Sequence, residues 1–179
     1  MVKLIGITGC SGSGKTTFAK KMAKKIGRSA KIISTNQYFK GIPKSVDIRE
    51  FDFDSPNNFN LELFECEIMN LYSCESGTTI LINKRNKLIK VDEKTVIIIE
   101  GVFTFISDKI NKLFSEKYFL DVPLDKCLER RINQKRRKEF GIEELRVRWD
   151  KFIIPAQLVM REKCYDFCEI LGLDYIDNY

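Results

Sequence analysis

Lys3-Leu4-Ile5-Gly6-Ile7-Thr8-Gly9-Cys10-Ser11-Gly12-Ser13-Gly14-Lys15-Thr16-Thr17 is the stretch whose reading decides the fold. Lys3 to Thr8 is a β-branched apolar run that ends in glycine-rich sequence, and an amphipathic helical pattern then runs from Lys15 to about Ile26. The order is strand, loop, helix. Gly9 to Thr16 reads G-x-x-x-x-G-K-T, and a strand before it with a helix after it is the context in which that pattern forms a phosphate-binding P-loop. Its glycines let the backbone N–H groups of Gly9, Cys10, Ser11, Gly12, Ser13 and Gly14 wrap a phosphate, and the helix N-terminus adds a positive dipole. Lys15 is then expected at the β and γ phosphates, the Thr16 hydroxyl on magnesium, and Thr17 at the α phosphate. ATP or GTP with Mg2+ is the implied ligand pair.

Downstream, Val96-Ile97-Ile98-Ile99-Glu100-Gly101 is an apolar strand ending in one carboxylate, the way a Walker B element sets an acid beside the metal. Glu100 is therefore the expected magnesium-side carboxylate. Between the two motifs, Lys31 to Ser34 reads as a short strand and Asn36 to Asn60 as a polar, irregular region large enough to form part of an active site. A helix is expected over about Phe59 to Tyr72, with Leu61, Phe64, Ile68 and Leu71 on its apolar face. Thr78 to Ile82 and Leu88 to Val91 flank a polar turn and read as a small inserted hairpin.

Beyond the acidic strand, Lys117 to Val122 is another short strand and Leu124 to Lys138 a strongly basic helix. Ile142 to about Phe167 is expected as a helix or helix pair bent at Pro155, and Leu173 to Ile176 as a last strand, near which the chain stops. Strands alternating with helices predict an α/β fold of three layers, with a parallel central sheet covered on both faces. At 179 residues, one domain spanning 1–179 is expected, with a helical lid at about 124–141.

Two further clusters bear on chemistry. Glu50, Asp52 and Asp54 crowd one segment, and an extended chain would place Asp52 and Asp54 on the same side, where a carboxylate near the P-loop could hold vicinal hydroxyls. In the basic helix, Leu124, Leu128 and Ile132 mark the buried stripe, Arg131 and Lys135 flank it, and Arg130, Gln134 and Arg137 lie farther round. A mobile arginine-bearing element that closes over the γ phosphate would supply the charge stabilisation that phosphoryl transfer requires.

Composition closes other routes. With 44% hydrophobic and 31% charged residues the chain is neither disordered nor low-complexity, and its longest apolar stretch is broken by Glu100 and too short to span a membrane. The absence of histidine removes Ser-His-Asp and Cys-His catalysis and imidazole metal ligation. Six cysteines without a CxxC pair encode neither a zinc framework nor a disulfide scaffold, and with no signal peptide read at the start a soluble, cytoplasmic protein is expected. The net charge of +6 sits on segments without interleaved aromatics, which argues against nucleic acid and for an anionic small ligand.

Taken together these segments resemble the uridine kinase and phosphoribulokinase family, which includes the nicotinamide riboside kinases. Gly6 to Thr17 looks like the family P-loop, and Phe53-Asp54-Ser55-Pro56-Asn57-Asn58-Phe59-Asn60 like its F-D-x-P-x-x-F/M-D segment. Ile98-Ile99-Glu100-Gly101 and Tyr118 to Pro123 match later core strands, and Leu128-Glu129-Arg130-Arg131 opens what resembles the lid. The resemblance implies an ATP-dependent kinase acting on a hydroxyl of a nucleoside or ribose-like acceptor, with a homo-oligomer left open. Asp54 would hold ribose hydroxyls, Glu100 would work with magnesium, and Arg131 with Arg136 or Arg137 would face the phosphates.

The sequence departs from the family pattern twice. Where the family carries an aspartate base in a D-x-F-Y/F-K-like segment, Ser34-Thr35-Asn36-Gln37-Tyr38-Phe39-Lys40 has Asn36, and an amide cannot take a proton. Asn36 and Tyr38 are carried as acceptor-side residues. Glu100 or Asp52 would have to replace the base, or transfer relies on positioning alone, or the protein binds nucleotide without turnover as a pseudokinase or sensor. The family's tyrosine and histidine segment that reads a pyrimidine is also missing.

Overall fold

The computed structural model describes residues 2–82, 87–134 and 141–179. The opening stretch forms β1 (Lys3–Gly9), the glycine-rich loop and α1 (Lys15–Ile26), as the sequence predicts. β2 (Ala30–Ser34) leads through single 3-10 turns at Thr35–Tyr38 and Pro56–Asn58 into α2 (Leu61–Ser73). The hairpin is β3 (Thr79–Ile82) and β4 (Lys87–Lys90), paired antiparallel. There follow β5 (Val96–Glu100), α3 (Asp108–Asn111), β6 (Phe114–Asp121) and α4 (Leu124–Ile132).

Among the described residues the main sheet runs β2-β5-β1-β6, ending in β7 (Glu169–Gly172), with every neighbouring pair parallel. After β5 the chain crosses from one side of β1 to the other. That reversal opens a crevice beyond the carboxyl ends of the strands, the usual ligand position in open parallel sheets. Register sharpens the point: Ile7 of β1 and Ser34 of β2 both stand level with Glu100 of β5, so three strands deliver their following loops to one place.

Alternation along β5 splits the core. Ile97 and Ile99 pack with Phe64, Ile68 and Leu71 of α2, while Ile98 packs on the opposite face with Phe18, Ala19 and Met22 of α1. A strand buried on both faces needs a continuous apolar run, which is why the segment reads Val-Ile-Ile-Ile before its carboxylate.

The C-terminal third holds the expected helix pair and differs from expectation in its last strand. The predicted long helix is α5 (Ile142–Arg148), a π-helical turn at Trp149–Ile153, and α6 (Ile154–Tyr165). Pro155 sits in the first turn of α6, where its missing N–H costs no helical hydrogen bond. The last strand is not Leu173 to Ile176. The pairing Phe119↔Ile170 and Leu120↔Leu171 places it at Glu169–Gly172, and Leu173–Asn178 is instead a short helix, α7. Leu173 and Ile176 are three apart, a helical spacing; Ile176 buries against the α1 side of the sheet and Asp174 favours the first turn.

Residues 135–140, which hold Lys135, Arg136, Arg137 and most of the expected lid beyond α4, lie outside the described residues.

Candidate active site

The loop between β1 and α1 is shaped by two left-handed glycines. Gly12 (φ 93°) passes so close to α4 that a Cβ would clash with the Cys127 carbonyl, and Gly14 (φ 95°) caps α1. The Ser13 N–H closes the turn on the Cys10 carbonyl at 3.0 Å. Lys15 is buried, and its Nζ donates to the carbonyls of Gly9 (2.9 Å) and Cys10 (2.7 Å). Ser11, Gly12, Gly14, Lys15, Thr16 and Thr17 line a cleft of about 440 Å³. Gly9, Cys10 and Ser13 stand behind it; the Cys10 and Ser13 side chains are buried, which leaves backbone groups as their route to a ligand.

Burial pushes the Lys15 ammonium below the ordinary 10.5, against the opposing pull of Glu100 and Asp54. Phosphate affinity requires the charged form, so nucleotide binding is expected to weaken as pH rises through that lowered value, earlier than for an exposed lysine. Nucleotide titrations from neutral to alkaline pH test this. For folding the sign is opposite: the unfolded chain holds that proton more tightly, so the stability of the free protein rises with pH across the same window.

Across from Lys15, Thr16 Oγ1 donates to Glu100 Oε2 at 3.2 Å, and Glu100 is only 2% exposed. Gly101 follows because nothing larger fits: with φ at 148°, a Cβ would overlap Thr35 Oγ1. A hydroxyl and a carboxylate at one spot suit magnesium, a hard cation that takes one or two protein oxygens and keeps water and phosphate oxygens for the rest. Among the described residues no group of three or more His, Cys, Asp or Glu forms a fuller cage.

On the other wall of the same cleft stand Asn36, Asp54, Phe39, Phe53, Phe59 and Phe103. Asn36 arrives directly from β2. Asp54 is set by a turn rather than an extended strand: the Asp54 N–H donates to Asp52 Oδ1 at 2.9 Å, and Asn58 Nδ2 donates to the Asp52 carbonyl at 2.7 Å. The segment is thus not extended as expected: Asp52 and Asp54 both border a neighbouring cleft, but only Asp54 reaches this one. Asp52 folds back to hold the turn and lies outside the phosphate cleft. An antiparallel bridge between Phe39 and Phe59 ties this turn to the Asn36 segment.

Tyr38, expected on the acceptor side, does not line the cleft. It is 1% exposed, its ring packs on Phe59 and Phe64, and its hydroxyl donates to Glu67 Oε2 at 2.9 Å. Burial pushes its phenol pKa well up. The 3-10 turn at Thr35–Tyr38 sends neighbouring side chains to opposite places, Asn36 to the cleft and Tyr38 to the core. Tyr38→Phe is accordingly expected to cost about 1 kcal/mol of stability by denaturant titration, with acceptor KM unchanged; a raised KM would restore the acceptor role.

The inward face of α4 includes Leu124 and Leu128 of the expected stripe, which pack against the core, but is centred on their neighbours. Cys127 and Arg131, four apart, are its buried residues, while Leu124, Leu128 and Ile132 are half-buried. The Arg131 guanidinium lines the cleft and donates to Ser11 Oγ. Gln134 also reaches the cleft instead of lying farther round. Arg130 takes a bracing role, with its guanidinium at 3.4 Å from the Ser13 carbonyl and 3.1 Å from Asp177.

Arg148 escapes sequence reasoning. It ends α5, is 8% exposed, and donates to the carbonyls of Ile48 (3.1 Å), Arg49 and Phe51 (2.6 Å). It thereby pins the loop that delivers Asp54. An arginine in a polar helix carries no local signal of such burial.

A glycine-rich phosphate loop, a buried lysine and a Thr–Glu pair at the switch point of a parallel sheet define a P-loop nucleotide-binding protein. The model of the phosphoribulokinase/uridine kinase family matches residues 4–139, and the chain belongs to that family. A uridine kinase of Borrelia duttonii (strain Ly) is 31% identical over 140 residues, which cover 75% of this chain and 68% of the relative. A structure described as a possible uridine kinase from Bacillus stearothermophilus superposes with a TM-score of 0.63 at 15% identity, covering 96% of this chain and 88% of that one. Shikimate kinase from Bacteroides thetaiotaomicron gives 0.53 at 23% identity, covering 98% and 88%. These two likenesses show the α/β fold of P-loop kinases. Among the described residues no helix is long and apolar enough to cross a membrane.

Proposed function

We propose that this chain transfers the γ-phosphate of ATP to a hydroxyl of a nucleoside or ribose-like small molecule. The observation that carries the reading is that one cleft holds Lys15, Thr16 and Glu100 on one wall and Asn36 and Asp54 on the other. Catalysis of this transfer is chiefly positioning and electrostatics. Lys15 offers its charge to the phosphate oxygens, and Arg131 adds a second cation from α4. Thr16 and Glu100 would hold magnesium, which when bound neutralises charge on the phosphates. Asp54, an acceptor-only group when ionised, is suited to taking hydrogen bonds from vicinal hydroxyls. Asn36 can orient an acceptor hydroxyl but cannot take its proton. Of the two carboxylates considered as a replacement base, Glu100 lines this cleft and Asp52 does not.

ADP release with magnesium, ATP and a panel of nucleosides, nicotinamide riboside and sugars tests the reading. Stimulation by one ribose-bearing acceptor is expected. ATP binding with silence across the panel would favour the second reading, a nucleotide-binding protein without turnover, which Asn36 in the cleft supports.

A further inference from the structure

Where β6 gives way to α4, a smaller cavity of about 200 Å³ opens between that junction and one face of α6. It shares no residue with the cleft that holds Lys15. One side is the start of α4, where Pro123 stands at the N-cap and offers no side-chain bond to the first turn. The Cys127 N–H donates to the Pro123 carbonyl at 3.0 Å, so the amides at 124–126 are the ones a helix leaves open. The other side comes from α6. Gln157 lines the cavity at 8% exposure, and its amide has no hydrogen-bond partner among the described residues. A buried amide left unpaired in the chain is costly, and a partner from outside the chain explains it. One turn on, Arg161 donates to Asp121 Oδ2 at 2.8 Å and lies 5.4 Å from the Tyr165 ring centroid, contacts that hold its guanidinium at the cavity edge. A guanidinium carries more N–H donors than one carboxylate oxygen takes up.

We propose that this cavity binds a small carboxylate, its oxygens taking hydrogen bonds from Gln157, Arg161 and the first turn of α4, and its short aliphatic body lying on Val122, Leu124 and Leu158. The anion follows from a surplus of donors. Gln157 Nε2, the spare Arg161 N–H groups and the helix N-terminus all donate, while Asp121, the carboxylate that also borders the cavity, is already paired with Arg161. A carboxylate rather than a phosphate follows from the walls, since an ion that is polar on every side would press its oxygens on the apolar side chains. The space suits a small molecule, being the liquid volume of about seven waters. The inference stands apart from the phosphotransferase reading, because it requires neither acceptor nor turnover. α4 nevertheless joins the two places: it begins at this cavity and carries Arg131 into the phosphate cleft.

Titration calorimetry of the whole chain with sodium butyrate, in the presence of ADP to fill the phosphate loop, tests the site. Saturable binding of about millimolar strength is expected for so small a ligand. Butyramide, which keeps the shape and lacks the charge, is expected to bind at least about tenfold more weakly. Inorganic phosphate is expected not to displace butyrate. Gln157→Leu is close in size and has no internal hydrogen bond to lose, so it is expected to weaken butyrate at least about tenfold while ADP affinity holds and the free protein melts no lower than the parent. Arg161→Gln, at a surface position, is expected to weaken butyrate as well, and it carries the test alone if Gln157→Leu melts well below the parent. No saturable binding, butyramide bound as tightly as butyrate, or butyrate binding untouched by these substitutions would overturn the site. Displacement by phosphate would overturn the carboxylate as its ligand.

Discussion

Lys15→Ala is expected to lower kcat/KM for phosphoryl transfer by about 10³-fold, the scale found when one preorganised charge-stabilising donor is removed. The size of the effect follows from where the ammonium sits. Lys15 is buried at the head of α1, held by two loop carbonyls and aimed into the same cleft as Thr16 and Glu100. A cation held in a water-poor site needs no reorganisation when charge develops on the transferring phosphoryl group, and it acts through a lower dielectric than bulk water provides. The fold should survive the change, because burial already disfavours the charged form and the truncation removes that burden with the charge. Acceptor-stimulated ADP release, with thermal melting as a control on folding, measures the outcome. A variant that melts like the parent and keeps its rate would remove the phosphoryl-transfer reading of this site.

Much of this site was legible in the sequence because its parts are local. A strand, a glycine turn and a helix in direct succession fix the phosphate loop within a few residues, and an apolar run ending in Glu100 fixes the carboxylate that Thr16 meets. What was illegible depends on contacts distant in the chain. Leu173 and Ile176 read as a strand until the pairing of Phe119 with Ile170 claims the preceding residues for the sheet edge. Tyr38 lies two residues from Asn36 and faces the other way, because Glu67 on α2 supplies the partner its buried hydroxyl requires. Arg131, expected to flank the apolar stripe, is among the most buried residues of α4, since one turn beyond Cys127, which joins the hydrophobic core, the same face meets Ser11 of the phosphate loop. Arg148 finds its acceptors about 100 residues earlier in the chain, where no periodicity could point.

Asn36→Asp is expected to raise kcat by about 100-fold, the lower end of what a positioned general base contributes. Asn36 leaves β2 level with Glu100 and lines the cleft with Asp54, so the new carboxylate would stand where an acceptor hydroxyl must lie to reach the phosphate. Its like-charged neighbours would raise its pKa above that of a free aspartate. The gain should therefore fade as pH drops through that raised value, giving an acid limb that the parent protein lacks or shows elsewhere. A single pH–rate profile on each protein measures this. If Glu100 already serves as the base, the parent has its own acid limb, Glu100→Gln removes it, and Asn36→Asp adds little. If the parent binds ATP without turnover and only Asn36→Asp releases ADP in response to an acceptor, the amide is what silences an otherwise assembled site. A profile flat in all three proteins, with turnover intact, would mean that no carboxylate in this cleft takes the proton, and that positioning by Lys15, Arg131 and Asp54 supplies the rate.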